Sequence, residues 1–109
     1  MATAGDLRRM ALALAGTSEA PHFDRAAFKV ARIYVTLAAD GQSANFKFDP
    51  PGQDLKCTLA PEAFLPVPNA WGRQGWTTAK LAALTLPELA HALDMAWSLA
   101  GPAKRPRRQ

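Results

Sequence analysis

The chain holds a single cysteine in 109 residues, which excludes an internal disulfide and any zinc site built on cysteines and points to a reducing compartment, the cytoplasm. Cys57, between Lys56 and Thr58, reads as a packing thiol. Long apolar runs are missing too, and nothing nears the ~18 residues that a membrane-crossing helix needs. The segment "LRRMALALAG" imitates a secretory leader, but its apolar run covers only Met10 to Ala15, and Asp6 stands where a basic region belongs. It reads instead as the first helix of a soluble protein that does not engage membranes. No P-loop and no cluster of His, Cys, Asp and Glu at ligand spacing occurs, so no metal and no cofactor is expected. Net charge is nearly absent once it is located. The overall +4 comes from Lys104, Arg105, Arg107 and Arg108 in the tail, and residues 1–103 carry nine basic against nine acidic side chains.

What remains is the pattern of one domain over 1–103, followed by a basic tail, 104–109, that is too charged to pack and is predicted disordered. Such a tail either touches phosphate without sequence preference or simply keeps the protein in solution. Thr3 as N-cap, Asp6 three residues on, and Leu7, Met10, Ala11 and Leu14 at helical spacing predict an amphipathic first helix, with Gly16 as its stop. "TSEAP" reads as a loop. "AAFKV" and "RIYVTLA" read as strands joined by a tight turn near Ala31-Arg32, and "ADGQS" as the connection into "ANFKFD". After Pro50-Pro51-Gly52, "GQDLKCTLA" suits a short helix, "EAFLPVP" an irregular extended piece, and "GWTTAKLA" the last strand. Thr85 as N-cap, Pro87 in the first turn and Glu88 completing a capping box start the closing helix. Its apolar stripe is Leu86, Leu89, Leu93, Ala96, Trp97 and Ala100, ending at Gly101-Pro102.

This order predicts an α+β fold, an antiparallel sheet with N- and C-terminal helices packed on one face. Strand alternation assigns Phe28, Val30, Ile33, Val35, Leu37, Phe46 and Phe48 to the covered face. Arg25, Lys29, Tyr34, Thr36, Asn45 and Lys47 then point away, joined by Trp76, Thr78 and Lys80 of the last strand. An open face with four cations and two aromatic rings suits phosphate contact and base stacking. It equally suits an ordinary solvated sheet face.

The succession "LALAGTSEAPHFDRAAFKVARIYVTL", "NFKF", "PEAF" and "GRQGWTTAKL" resembles the MmcQ/YjbR family of small bacterial proteins, from Leu7 to Leu99, its most specific parts being "PHFDRAAFKV" and Gly75-Trp76. The resemblance implies a frataxin-type, CyaY-like α/β sandwich, and a DNA-binding role in which a "double wing" sheet lies on a duplex. Ala31-Arg32 stands where relatives often carry glycine, which leaves that turn's type open. Frataxin-like proteins handle iron with an acidic ridge on the first helix and strand, whereas this first helix sets Asp6 beside Arg8 and Arg9, so iron is not expected.

Two local constellations compete for function. His22, Asp24 and Arg25 have the types of a base, its orienter and an anion clamp, but no nucleophile stands beside them except the loop residues Thr17 and Ser18. The bland alternative has His22 and Asp24 bonding nearby backbone, Phe23 and Phe28 anchoring the loop to the core, and Arg25 pairing with Glu19 or Asp24 or projecting to solvent. No catalysis is expected. His91 reads as a boundary residue of the last helix rather than a ligand. Trp71 and Trp76 flank "GRQG" with Arg73 at its tip, a pair that either grips a base or anchors the loop by burial. The expectation is therefore weak, largely sequence-nonspecific DNA binding by a monomer or weak dimer. Arg25, Lys29, Lys47 and Lys80 would meet phosphates, Tyr34 or Trp76 would stack, and Arg73 would add a secondary contact. The alternative is a protein-interaction or small-ligand module using the same face.

Overall fold

In the computed structural model, which describes residues 1–101, the first helix α1 (Ala4–Leu12) starts at the capping box foreseen for it. The Asp6 N–H donates to Thr3 Oγ1 at 3.1 Å and the Thr3 N–H to Asp6 Oδ2 at 3.0 Å, so two otherwise orphaned donors are satisfied. Leu7 and Ala11 are its buried positions. The predicted disorder of the tail falls outside the described residues, as do residues 102 and 103.

The sheet has six strands in the order β1-β2-β3-β4-β6-β5, every neighbouring pair antiparallel. Its members are β1 (Ser18–His22), β2 (Arg25–Lys29), β3 (Ile33–Leu37), β4 (Ser43–Lys47), β5 (Phe64–Pro66) and β6 (Trp76–Lys80). Two departures from expectation lie at its edges. The segment read as the loop "TSEAP" contributes β1, and the piece read as irregular contributes β5. Each carries a proline, Pro21 and Pro66, and an edge is where a strand tolerates the missing N–H. Composition alone makes such stretches look like loops; the neighbouring strand supplies the ladder that makes them strands.

Between β4 and β5 runs α2 (Pro50–Leu59), capped by Asp49, whose Oδ1 accepts from the Gly52 N–H at 2.8 Å. A short helix α3 (Ala70–Arg73) precedes β6, and α4 (Leu86–Ala100) closes the described chain behind the Thr85/Glu88 capping box. Leu89, Leu93, Ala96 and Ala100 of its stripe are buried, but Leu86, in the first turn, is 44% exposed. α4 packs on β3 and β4 and touches α1, so these helices cover one side of the sheet. The core between them is built from Phe28, Tyr34, Val35, Phe46, Phe48, Phe64 and the helical leucines. Phe46 and Phe48 stack at 5.8 Å between centroids, with Phe64 a further 6.2 Å from Phe48. Burying a side chain of this size contributes about 1.5–3 kcal/mol, so these rings form the main apolar reserve of the fold.

One register shift overturns part of the predicted facing. Phe28 pairs with Val35, but Lys29 pairs with Ile33, leaving Tyr34 as an extra residue on β3. Such a bulge puts two consecutive side chains on one side and inverts the alternation beyond it. Tyr34 therefore turns inward and is fully buried. Its hydroxyl lies 2.8 Å from Thr17 Oγ1 and donates to the Ala11 carbonyl at 3.4 Å. Burial pushes its phenol pKa up. Tyr34 is thus not a stacking residue of the open face, and Ile33, expected on the covered side, lies on the open one. The turn before it needs no glycine, because neither Ala31 nor Arg32 has a positive φ.

Candidate functional site

Pairing across the sheet sets out the open face in rows. Ala27, Thr36, Asn45, Thr78 and Leu65 follow one another from β2 to β5. Towards one end come Lys29, Ile33, Lys47 and Trp76, and towards the other Arg25, Ser43 and Lys80. Strand spacing and rise put Arg25 and Lys29 roughly 13 Å apart along β2, and Lys29 and Lys47 about 10 Å apart across two strands. The four cations thus frame the middle of the face. Among the described residues two ion pairs form, Arg8 with Glu19 at 3.0 Å and Arg9 with Asp6 at 3.1 Å. Neither uses these four.

Arg25 was expected to pair with Glu19 or Asp24 or to reach solvent. Its Nε instead donates to Thr36 Oγ1 at 2.8 Å and its Nη2 to the Thr36 carbonyl at 3.2 Å, which lays the guanidinium across the sheet. Glu19 belongs to Arg8. Lys29 and Lys80 are exposed and Lys47 is half-buried. Arg73, at the end of α3, is exposed but lines none of the hollows described here.

The face is not flat. A hollow of about 420 Å³ sinks into it, lined by His22, Phe23, Arg25, Ile33, Thr36, Asn45, Val67, Trp71 and Trp76. Three aromatic rings wall it, and each is held there by local backbone. Phe23 occupies the two-residue turn between β1 and β2 with φ 60, an unusual conformation for a bulky residue, and is 94% exposed. It had been expected to anchor the turn to the core; its ring instead lies edge-on to His22 at 4.8 Å. Trp71 rides on α3, where the Asn69 side chain accepts from the Trp71 N–H at 2.8 Å, and is 58% exposed. Gly72 is required beside it, since a Cβ there would collide with the Val67 carbonyl. Gly75, at φ 107, passes so close to the Phe48 carbonyl that it too has no room for a Cβ. The two glycines of "GRQG" are thus steric necessities that let α3 close onto Val67 and the start of β6 onto Phe48. Gln53 of α2 completes the clamp, donating from Nε2 to the carbonyls of Gly72 at 2.9 Å and Trp76 at 3.1 Å. The floor is polar. Thr78 Oγ1 donates to Asn45 Oδ1 at 2.8 Å.

A second hollow of about 270 Å³ adjoins Trp76, lined also by Arg32, Lys47, Asp49, Leu99 and Ala100. Arg32 Nη2 donates there to the Leu99 carbonyl at 3.1 Å, capping the end of α4. His22 and Asp24 do not form a dyad. His22 lines the aromatic hollow, Asp24 lines a groove beside α1, and no hydrogen bond joins them. Among the described residues no three His, Cys, Asp or Glu side chains gather as metal ligands. His91 stands exposed on α4 with Lys56 Nζ 2.6 Å from its Nδ1. Desolvation pulls the Lys56 pKa down, with Glu88 partly opposing it. Cys57 is half-buried, and burial, helped by Asp54, pushes its thiol pKa up. No helix among the described residues is long and apolar enough to cross a membrane.

The model of the YjbR family matches residues 12–99. Among solved structures, the crystal structure of Deinococcus radiodurans protein DR2400, described with domain DUF419, is similar at a TM-score of 0.81 and 21% identity, covering 98% of this chain and 84% of that one. No curated protein matches. The chain belongs to the YjbR family.

Proposed function

We propose that the protein binds nucleic acid through the open face of its sheet, with Arg25, Lys29, Lys47 and Lys80 meeting phosphates and Trp76 meeting bases. The observation that carries this is the framing of an aromatic-walled hollow by four cations outside both ion pairs. Residues 1–103 are electrically balanced; Asp54 lies on α2, and Glu88 and Asp94 on α4, while Asp49 lines the smaller hollow beside Lys47 and Trp76. The resemblance to MmcQ/YjbR proteins, with its implied DNA-binding role, supports the same reading. Arg73 is a secondary contact. The tail, Lys104 to Arg108, adds charge from a chain whose last described helical residues line the hollow beside Lys47 and Trp76.

Binding of this kind is weak, salt-sensitive and nearly indifferent to sequence. Four phosphate contacts give a slope of log K against log salt of roughly −2.8 to −3.6, or about 50- to 150-fold weaker binding at ~200 mM salt than at ~50 mM. The test is an anisotropy titration of full-length protein whose tail cations are changed to glutamine. Lys29→Ala, Lys47→Ala and Lys80→Ala should each flatten the slope by about 0.7–0.9. Loss of all binding with the tail charges, or slopes untouched by the three lysines, refutes the proposal. The apolar walls of the hollow support a second reading, a small planar ligand held without phosphate, and salt-independent affinity would favour it.

A further inference from the structure

Resting on the nucleic-acid reading above, we infer that the hollow seats an unpaired base, so that the face takes single strands in preference to duplexes. The walls carry the inference. Trp71, Trp76 and Phe23 line the hollow with aromatic rings, and Trp71 and Phe23 are largely exposed to solvent. In a duplex the faces of the bases are hidden in the stack and only their edges line the grooves, so these rings meet nothing to stack on unless a base is flipped out at a cost of a few kcal/mol. In a single strand every base offers a face without that penalty.

The hollow's volume, about 420 Å³, is at the lower end of small-molecule sites and suits one ring system with its sugar rather than a run of paired bases. Its hydrogen-bonding character is donor-rich. Asn45 Oδ1 is occupied by the Thr78 hydroxyl, which leaves its amide hydrogens for a ligand, and two of the Arg25 nitrogens already hold the group in place while the third remains. Among the described residues neither Trp71 nor Trp76 finds an acceptor for its indole N–H, whereas Trp97 Nε1 donates to the Ala15 carbonyl at 2.9 Å. Donors beneath aromatic walls fit the carbonyl oxygens of thymine, while Lys29, Lys47 and Lys80 on the surrounding face hold the flanking phosphates.

The experiment compares a short labelled oligo(dT) with a blunt duplex of equal length at low salt, using full-length protein and following tryptophan fluorescence alongside anisotropy. Thymidine monophosphate serves as a separate arm. The single strand should bind at least about ten-fold tighter, and Trp71→Ala should weaken it by roughly 5- to 150-fold, the range of one stacked base, while leaving duplex binding nearly unchanged. Trp71 is exposed on a four-residue helix, so the variant should fold, and circular dichroism checks it; Phe23→Ala is the second probe of the same walls. Lys29→Ala should weaken both nucleic acids. Equal or tighter duplex binding, or a single-strand preference indifferent to Trp71 and Phe23, overturns this inference while the nucleic-acid reading stands. No binding of either polymer overturns both. Binding of the mononucleotide as tightly as the oligonucleotide overturns strand recognition in favour of a small-molecule site.

Discussion

Phe23 is the position where backbone strain and ligand contact separate most cleanly. Its φ of 60 and its 94% exposure mean that the ring gains almost nothing from burial while the backbone occupies a region that bulky residues avoid. Such a conformation costs about 1–2 kcal/mol in a residue with a Cβ. Replacing Phe23 by alanine keeps that cost and removes the ring; replacing it by glycine removes both, against about 0.5–1 kcal/mol of extra chain entropy. The glycine variant should therefore be more stable than the alanine variant by up to about 1.5 kcal/mol. At roughly 4–8 °C per kcal/mol for a domain of this size, the difference is readable by thermal unfolding followed by circular dichroism. The edge-on contact with His22 at 4.8 Å is lost in both variants and cancels in the comparison. Both should lose the same share of affinity for oligo(dT), because the ring and not the backbone makes the contact. A glycine variant less stable than the alanine variant refutes the strain argument. Unchanged affinity in both removes Phe23 from the walls of the site.

Two further outcomes follow from groups away from the hollow. Tyr34→Phe removes a hydroxyl that lies 2.8 Å from Thr17 Oγ1 and donates to the Ala11 carbonyl, and should lower stability by about 1 kcal/mol, visible as a lower Tm, with nucleic-acid affinity unchanged because the ring faces the helices. Reduced affinity at unchanged stability would return Tyr34 to the open face. Asp6 and Glu88 have pKa values held below the ordinary carboxylate range, Asp6 first by the Thr3 side chain and Glu88 first by the Thr85 backbone N–H. A depressed folded-state pKa stabilises above the unfolded value and loses that contribution as pH falls through the folded one. Melting temperatures should therefore drop as pH falls below about 4.5, and Glu88→Gln should drop less steeply than the parent. A parallel drop in the variant would refute the assignment.

Much of the fold was legible because its signals are local. Both capping boxes, at Thr3/Asp6 and Thr85/Glu88, need only residues three positions apart, and the structure places both as the spacing predicts. The central strands were legible by alternation. The edges were not, since β1 is exposed at all five positions and β5 is three residues long with two of them exposed. Nothing in such residues announces a strand until a neighbour pairs with it. The facing of β3 was lost at one residue: alternation is an unbroken count of two, and the unpaired Tyr34 resets it, exchanging the positions of Tyr34 and Ile33. No composition signal marks that bulge.

The candidate site was legible as residue types and not as a shape. Lys29, Lys47, Trp76 and Lys80 share a face because each belongs to a regular strand. The hollow between them depends on three non-local facts: Ile33 turned outward by the bulge, Phe23 held at positive φ in the turn between β1 and β2, and α3 drawn onto Val67 at Gly72, which has no room for a Cβ. Two features of the site, the backbone at Phe23 and the exposed ring of Trp71, are not what stability alone would select. A glycine at position 23 would relieve the turn, and a polar residue at Trp71 would remove an exposed indole at little cost to the core. Local rules are broken here at a shared place, where the exposed rings gather above a floor of hydrogen-bond donors, and departures that converge on one hollow point to a ligand more strongly than any of them does alone.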